Sequence, residues 1–223
     1  MEELKTKLQY NGYSTDLKIL NSLNYGLPQD RPRMFLVGIT RQLLKPLFAR
    51  MPRATESGWF PFPEGSFGNI KSLNWPTRNK FGTTFKPPLH IPEELTIYPL
   101  LASDPSPEEL PNGQEYFKPH SDKFYQIDEG DTSRISFKRL HRFRYSPTAC
   151  YGNNEVHLHP WKPRRLSVRE VLRIQGIPDS YVLPEGGSLS SKFKLIGNGV
   201  PMPLAFNVAK ALKSFLISLI GEK

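Results

Sequence analysis

With 223 residues, 38% of them hydrophobic and 12% aromatic, the chain has the length and composition for one large or two small packed cores, which excludes a disordered protein. Its single cysteine, Cys150, excludes an internal disulfide and fits a reducing, cytoplasmic setting; the acidic opening Met1-Glu2-Glu3-Leu4 is unlike an export signal, and no uninterrupted apolar run approaches the roughly 20 residues of a bilayer span. The formal net charge of +9 points to a polyanion such as DNA as partner.

Residues 1–41 read as helix, strand, turn, strand. Alternation over Leu17–Leu23 predicts a strand, Tyr25-Gly26-Leu27-Pro28 a turn, and Met34–Ile39 a buried strand. Residues 42–163 hold 16 of the 22 prolines. With scattered aromatics (Trp59, Phe60, Phe62, Trp75, Phe81, Phe85) and no periodicity, this stretch reads as a loop-dominated domain of the kind that carries recognition residues. Residues 164–223 read as two helices. The first opens at Ser167, with Glu170 three residues on to complete a capping box, and stops at Gly176 before Pro178. The second follows Pro201 and Pro203, with Leu204, Val208, Leu212, Phe215, Leu216 and Leu219 at core-facing helical spacing.

Charge is unevenly spread. Glu93 to Asp131 contains ten acids and two bases, whereas Arg134 to Arg173 contains ten bases against Glu155 and Glu170. The second stretch, together with the basic residues before Pro92, is the expected phosphate-facing surface. Arg169 and Arg173, four apart on one helix face, form a like-charge spacing that calls for offsetting partners. His141, Cys150, His157 and His159 lack the paired spacing of metal ligands, so no metal is expected.

Three segments resemble, in the usual order, the DNA (cytosine-5) methyltransferase family. Gly26-Leu27-Pro28-Gln29-Asp30-Arg31-Pro32-Arg33 followed by Met34-Phe35-Leu36-Val37-Gly38 is similar to its eighth conserved motif. Arg165-Leu166-Ser167-Val168-Arg169-Glu170-Val171-Leu172-Arg173-Ile174-Gln175-Gly176-Ile177-Pro178-Asp179 is similar to the ninth, with Ser167 where threonine is commoner and Ile177 where phenylalanine is. Lys194-Leu195-Ile196-Gly197-Asn198-Gly199-Val200-Pro201 is similar to the tenth, with Gly199 for the frequent serine or alanine. Arg139-Leu140-His141, Ser146-Pro147-Thr148 and His159-Pro160 resemble the lead-in to the ninth.

The resemblance implies an α/β fold: part of a Rossmann-like, S-adenosylmethionine-dependent methyltransferase domain plus an irregular, loop-rich, mainly β target-recognition domain. Residues 1–41 would be strands of the catalytic sheet, 42–163 the recognition domain, and 164–223 the ninth-motif helix, a cofactor turn and a C-terminal helix packing back on the catalytic part. Arg33 would donate to O2 of a cytosine flipped out of double-stranded DNA, Arg31 would support the pocket or an adjacent phosphate, and Gln29 would orient the loop. Asn198, with Gly199 and Val200 in a turn ahead of a helix, would face the methionine part of S-adenosylmethionine. Cys150, in Ala149-Cys150-Tyr151, does not match the family's Pro-Cys-Gln nucleophile. Neither that tripeptide, nor a glycine-rich cofactor loop, nor Glu-Asn-Val occurs in these residues. The chain therefore reads as the C-terminal half of such an enzyme, from a restriction-modification system and inactive alone. It is either a subunit completed by a second polypeptide carrying Pro-Cys-Gln or a truncated single-chain enzyme; a non-catalytic DNA-binding remnant is the alternative.

Overall fold

The computed structural model describes residues 2–50, 57–149, 151 and 155–221. Two compact units emerge: Met1–Asn21, Pro32–Gly65 and Leu204–Lys223 form the first, Ser22–Arg31 and Ser66–Pro203 the second. These boundaries differ from the three consecutive zones read from the sequence, because the turn between the two strands and the ninth-motif helix both belong to the loop-rich body.

In the first unit, α1 (Glu2–Tyr10) is a surface helix with acids in its first turn and Lys7 in its last, ended by Gly12 at φ +81°. Strands β1 (Tyr13–Asn21) and β2 (Pro32–Thr40) pair antiparallel with Leu17 opposite Leu36 and Leu20 opposite Arg33. Helix α2 (Arg41–Arg50) follows directly; Pro46 inside it is why the sequence reads there as loop. The aromatics Trp59, Phe60 and Phe62 join this unit's core: Phe215 lies 6.0 Å from Trp59 and 5.6 Å from Phe60, and Phe60 lies 4.7 Å from Phe62 in an edge-to-face pair. The buried carboxylate of Asp16 accepts the Phe60 N–H at 2.9 Å and ties this cluster to β1.

Phe215 belongs to the last helix of the chain, at Met202–Gly221 (20 residues). With the preceding helix it forms a stretch long and apolar enough, by length and composition, to cross a bilayer, so the expectation of no such segment is corrected. Lys210 and Lys213 interrupt it, and Leu204, Val208 and Leu219 are buried, the signature of a core-facing stripe. Leu212, Phe215 and Leu216 are only half-buried.

The second unit contains α3 (Tyr98–Ala102), α4 (Lys123–Gln126), α5 (Val168–Ile174) and α6 (Leu189–Asn198), so the Met202–Gly221 helix is α7. Among the described residues this unit has only isolated β-bridges, such as Arg139–Leu158 and Leu158–Arg165, and no strand. The mainly β expectation is thereby corrected. Proline at this density removes the N–H donors that a ladder requires. Carbonyls left without ladder partners are met instead by arginine side chains. Arg139, fully buried, donates to the carbonyls of Ile127 (2.8 Å), Lys162 (3.0 Å), His159 and Phe124. Arg169 donates to Pro111 and Tyr181, and Arg173 to Leu100 and Pro105 while pairing with Asp179 at 2.7 Å. Arg169 and Arg173 thus have their offsetting partners.

Helix α5 is the hub of this unit, with all seven residues buried. Its capping box forms as read: Ser167 Oγ accepts from Glu170 N and the Glu170 carboxylate accepts from Ser167 N at 2.7 Å. Around it pack Leu140, Ala149, Tyr151, Leu166, Phe193 and Ile196. Helix α6, with Ser188 as its N-cap, lies in a stretch without a helical pattern in the sequence.

Candidate functional site

The loop Ser22–Arg31 closes on itself. Ser22 Oγ donates to the Gln29 carbonyl at 2.8 Å, Leu27 N to the Ser22 carbonyl at 3.3 Å, and Gly26 supplies the left-handed turn at φ +80°. It is then fastened to residues 146–149. Asp30 N donates to the Ser146 carbonyl and Ser146 N to the Pro28 carbonyl, both at 2.8 Å, and Thr148 Oγ1 donates to the Asp30 carbonyl. The Ser146-Pro147-Thr148 segment noted in the sequence is therefore the loop's partner.

Arg31 completes the construction. Its fully buried guanidinium donates to the Ala149 carbonyl at 2.8 Å, to the Gly199 carbonyl at 2.9 Å, and to the Gly197 carbonyl. Gly197 lies in the last turn of α6 and Gly199 is its C-cap, where unsatisfied carbonyls concentrate negative partial charge and a cation is favoured. This burial is incompatible with contact to an adjacent phosphate, so that part of the expectation for Arg31 is corrected. Gln29 is also fully buried, and its side-chain amide has no hydrogen-bond partner among the described residues; its backbone carries the loop contacts.

Asn198 is the last residue of α6, not part of a free turn as the sequence suggested. Gln175 Nε2 donates to the Ile196 carbonyl at 3.0 Å and Met202 N to the Gln175 carbonyl, fixing this helix end to the end of α5. Asn198 and Val200 are exposed, and the Asn198 side chain makes no hydrogen bond among the described residues. The structure thus brings Gln29, Arg31 and residues 198–200 into one unit. Arg33 belongs to the other, on β2, half-exposed, with Nη1 donating to the Pro32 carbonyl at 2.8 Å. As for S-adenosylmethionine, which the resemblance implies, the Gly197 and Gly199 carbonyls are already taken by Arg31. The free Asn198 amide beside apolar Val200 fits one edge of a site for a zwitterionic amino-acid group.

The basic stretch Arg134–Arg173 proves largely internal: Arg139, Arg164, Arg165, Arg169 and Arg173 are buried. Arg164 holds Glu170 at 2.8 Å and Glu108 at 2.6 Å, and Lys162 joins Glu108 at 2.8 Å. Burial alone would raise the Glu108 pKa, but Lys162 and Arg164 hold it below its usual range. Burial pulls Arg139 down to about 10, against the opposing charge of Glu129, so it remains protonated at neutral pH. His141, His157 and His159 are buried within this network, His159 Nδ1 accepting the N–H groups of Trp161 and Lys162. Cys150 lies outside the described residues.

Residues 1–214 match the family model of C-5 cytosine-specific DNA methylases. The Type II methyltransferase M.NmeDI of Neisseria meningitidis serogroup C is 41% identical over 96% of this chain and 49% of its own length. M.MthTI of Methanothermobacter thermautotrophicus is 29% identical over 94% of this chain and 59% of its own. The solved methyltransferase EhMeth of Entamoeba histolytica shares the fold with a TM-score of 0.50 at 14% identity, covering 97% of this chain and 57% of that one. The chain spans about half the length of the curated relatives it matches.

Proposed function

Because the chain belongs to the C-5 cytosine-specific DNA methylase family, we propose that it forms the DNA-reading and active-site-completing part of a Type II DNA (cytosine-5) methyltransferase. In this reading it corresponds to the C-terminal half of the enzyme, acts on double-stranded DNA in the cytoplasm, and depends on a cysteine nucleophile from outside these 223 residues. One observation carries the proposal: buried Arg31 welds the Gly26–Arg31 loop to the end of α6. The two segments that by resemblance border the target base and the cofactor are thereby held together.

Carbon 5 of cytosine becomes nucleophilic once a thiolate adds at carbon 6, and negative charge then builds on O2 and N3. Arg33, a permanently charged forked donor, would meet that charge at O2, and the base must leave the stack to reach it. S-adenosylmethionine supplies the methyl group when bound. Asn198 would hold the cofactor's amino-acid end, while Arg31 and Gln29 act as positioning residues that keep loop and turn in register.

The test combines this chain with the part of the Neisseria meningitidis relative that lies outside the match, in the presence of labelled S-adenosylmethionine and mixed-sequence DNA. The chain alone should incorporate no label, and the combination should methylate a defined sequence. In the active combination, Arg33→Ala should lower turnover by on the order of a hundredfold, since one lost charged donor is worth about 3 kcal/mol at the transition state. Asn198→Ala should chiefly raise the KM for cofactor. Robust incorporation by the chain alone, or full turnover by Arg33→Ala, would overturn the assignment of these roles; binding without methylation in the combination would instead mark a non-catalytic DNA reader.

A further inference from the structure

Five of the ten bases between Arg134 and Arg173 are turned inward, and one place in the second unit gathers outward-facing positive charge. The loop Asp131–Phe137 leaves a locked base. Asp131 is buried and accepts Ser133 Oγ at 2.7 Å, Ser133 N at 3.1 Å and Arg78 Nη2 at 3.0 Å, while Arg139 N donates to its carbonyl. At the other end Phe137 sits at φ +61°, a conformation costly for a bulky side chain. It is held there by Phe124, 5.6 Å away, and by the Arg165 guanidinium 4.7 Å above its ring. Between these anchors Ile135 is 87% exposed. A single exposed isoleucine is ordinary; this one stands at the tip of a loop fixed at both ends.

Its neighbour Arg134 is exposed too. Only its Nε touches Asp131, at 3.4 Å, which orients the side chain and leaves the terminal fork without a hydrogen bond among the described residues. Two clefts of about 350 and 410 Å³ flank the loop and share Phe137 as their common wall. Lys118, His120 and Arg165 line one, Lys123 and Arg134 the other. Among the described residues near it, Asp122 is exposed, Asp128 half-buried, Asp131 already engaged, and exposed Glu155 acts on Arg165, which leaves Lys118, Lys123 and Arg134 as the outward cations.

We propose that the Asp131–Phe137 loop is the sequence-reading element of this protein, with Arg134 and Ile135 contacting base edges of duplex DNA and Lys118 and Lys123 seating it on phosphates. This rests on the DNA reading above and names the residues within it. The chemistry fits: a free guanidinium fork matches O6 and N7 of guanine, an apolar tip matches a thymine methyl or the gap of an opened base step, and point-charge lysines suit the backbone.

Selection of duplexes from a random library, using this chain and its variants at two salt concentrations, tests the proposal. The unsubstituted chain should enrich one sequence. Arg134→Ala should relax one position of it by roughly tenfold to a hundredfold, and Ile135→Ala a neighbouring position. Arg134→Lys, which keeps the charge but loses the fork, should relax the same position while keeping the salt dependence. Lys118→Ala with Lys123→Ala should weaken all sequences alike and flatten the salt slope by about 2. Both side chains at the tip are exposed, so these variants should fold. If the Arg134 and Ile135 variants select the same sequence with the same preference as the unsubstituted chain, this loop is not the reader, though the chain still binds DNA. If the unsubstituted chain binds no duplex at low salt, the DNA reading itself falls.

Discussion

A guanidinium that donates to several backbone carbonyls does the work that a neighbouring strand does elsewhere. Arg31 and Arg139 are the two fully developed cases, each fully buried and each joining segments far apart in the chain. The cost of removing such a group is set by the acceptors it leaves behind, at about 1–3 kcal/mol for each buried carbonyl that finds no water. Arg139→Met keeps the volume of the stem and abandons four carbonyls, those of Phe124, Ile127, His159 and Lys162. It should lower stability by about 3 kcal/mol or more, which for a chain of this size is roughly 6–12 °C in Tm. Arg134→Ala, on the surface, should stay within about 0.5 kcal/mol of the unsubstituted chain. Thermal and urea unfolding of the two variants side by side decides the matter. Equal effects would mean that the buried guanidinium is not the carbonyl partner that the geometry makes it.

Elements with a local, contiguous signal were legible in the sequence, and those defined by distant contacts were not. Helix α5 announces itself at both ends: Ser167 and Glu170 form the cap, and Gly176 stops it at φ +72°. A side chain on Gly176 would start 2.6 Å from Pro203 Cδ and 3.0 Å from Leu27 Cδ1, and the proline ring cannot swing away. Gly176→Ala should therefore cost about 2–3 kcal/mol, from the left-handed backbone and the forced repacking together. Ser167→Ala, which loses one cap bond, should cost only about 1 kcal/mol. A chemical-denaturation series in which the order is reversed would show that the cap, not the stop, holds α5. Alternation over Leu17–Leu23 and the apolar run Met34–Ile39 likewise marked β1 and β2 to within a few residues, although β2 is only partly buried and Met34 is exposed. Helices α2 and α6 escaped because Pro46 interrupts the first and because paired serines and Gly197 dilute the second. The strands expected in the recognition body failed for a physical reason, since proline-rich chain cannot build ladders. At the site, the contiguous Gln29–Arg33 run was readable as a motif. The bonds that anchor Arg31 span 118 and 166 residues of sequence and leave no local trace.

Across the whole molecule, the excess of positive charge is spent partly inside, and this sets how the chain responds to acid. Burial, reinforced by Arg142 and Arg144, pushes His141 down to about 4. Burial with Lys138 and Arg165 pushes His157 down to about 3. His159 is driven well below its ordinary value by burial and by Arg164, Lys162, Arg139 and Arg142, which together outweigh the Glu170 carboxylate 3.4 Å away. In the unfolded chain all three titrate near 6.5. Between that value and their native values the unfolded state binds protons that the native state refuses, so the stability they confer is complete above about pH 6.5 and is lost as pH falls toward 4. With three such groups the limiting slope is about 4 kcal/mol per pH unit, against a total stability of about 5–15 kcal/mol for a typical chain. The carboxylates of Glu108, Glu115, Asp131 and Asp179, held below their usual range by cationic and hydrogen-bonding partners, act in the same direction only at lower pH, below about 4.5. The chain should therefore begin to lose stability near pH 6 and unfold before its carboxylates titrate. Urea unfolding at pH 7.5, 6.0, 5.0 and 4.5 measures the slope directly, and His141→Gln should reduce it by about a third. A stability that stays level from pH 7.5 to 5.0 would mean that these histidines accept protons in the folded state, and that the arginines around them do not set their charge.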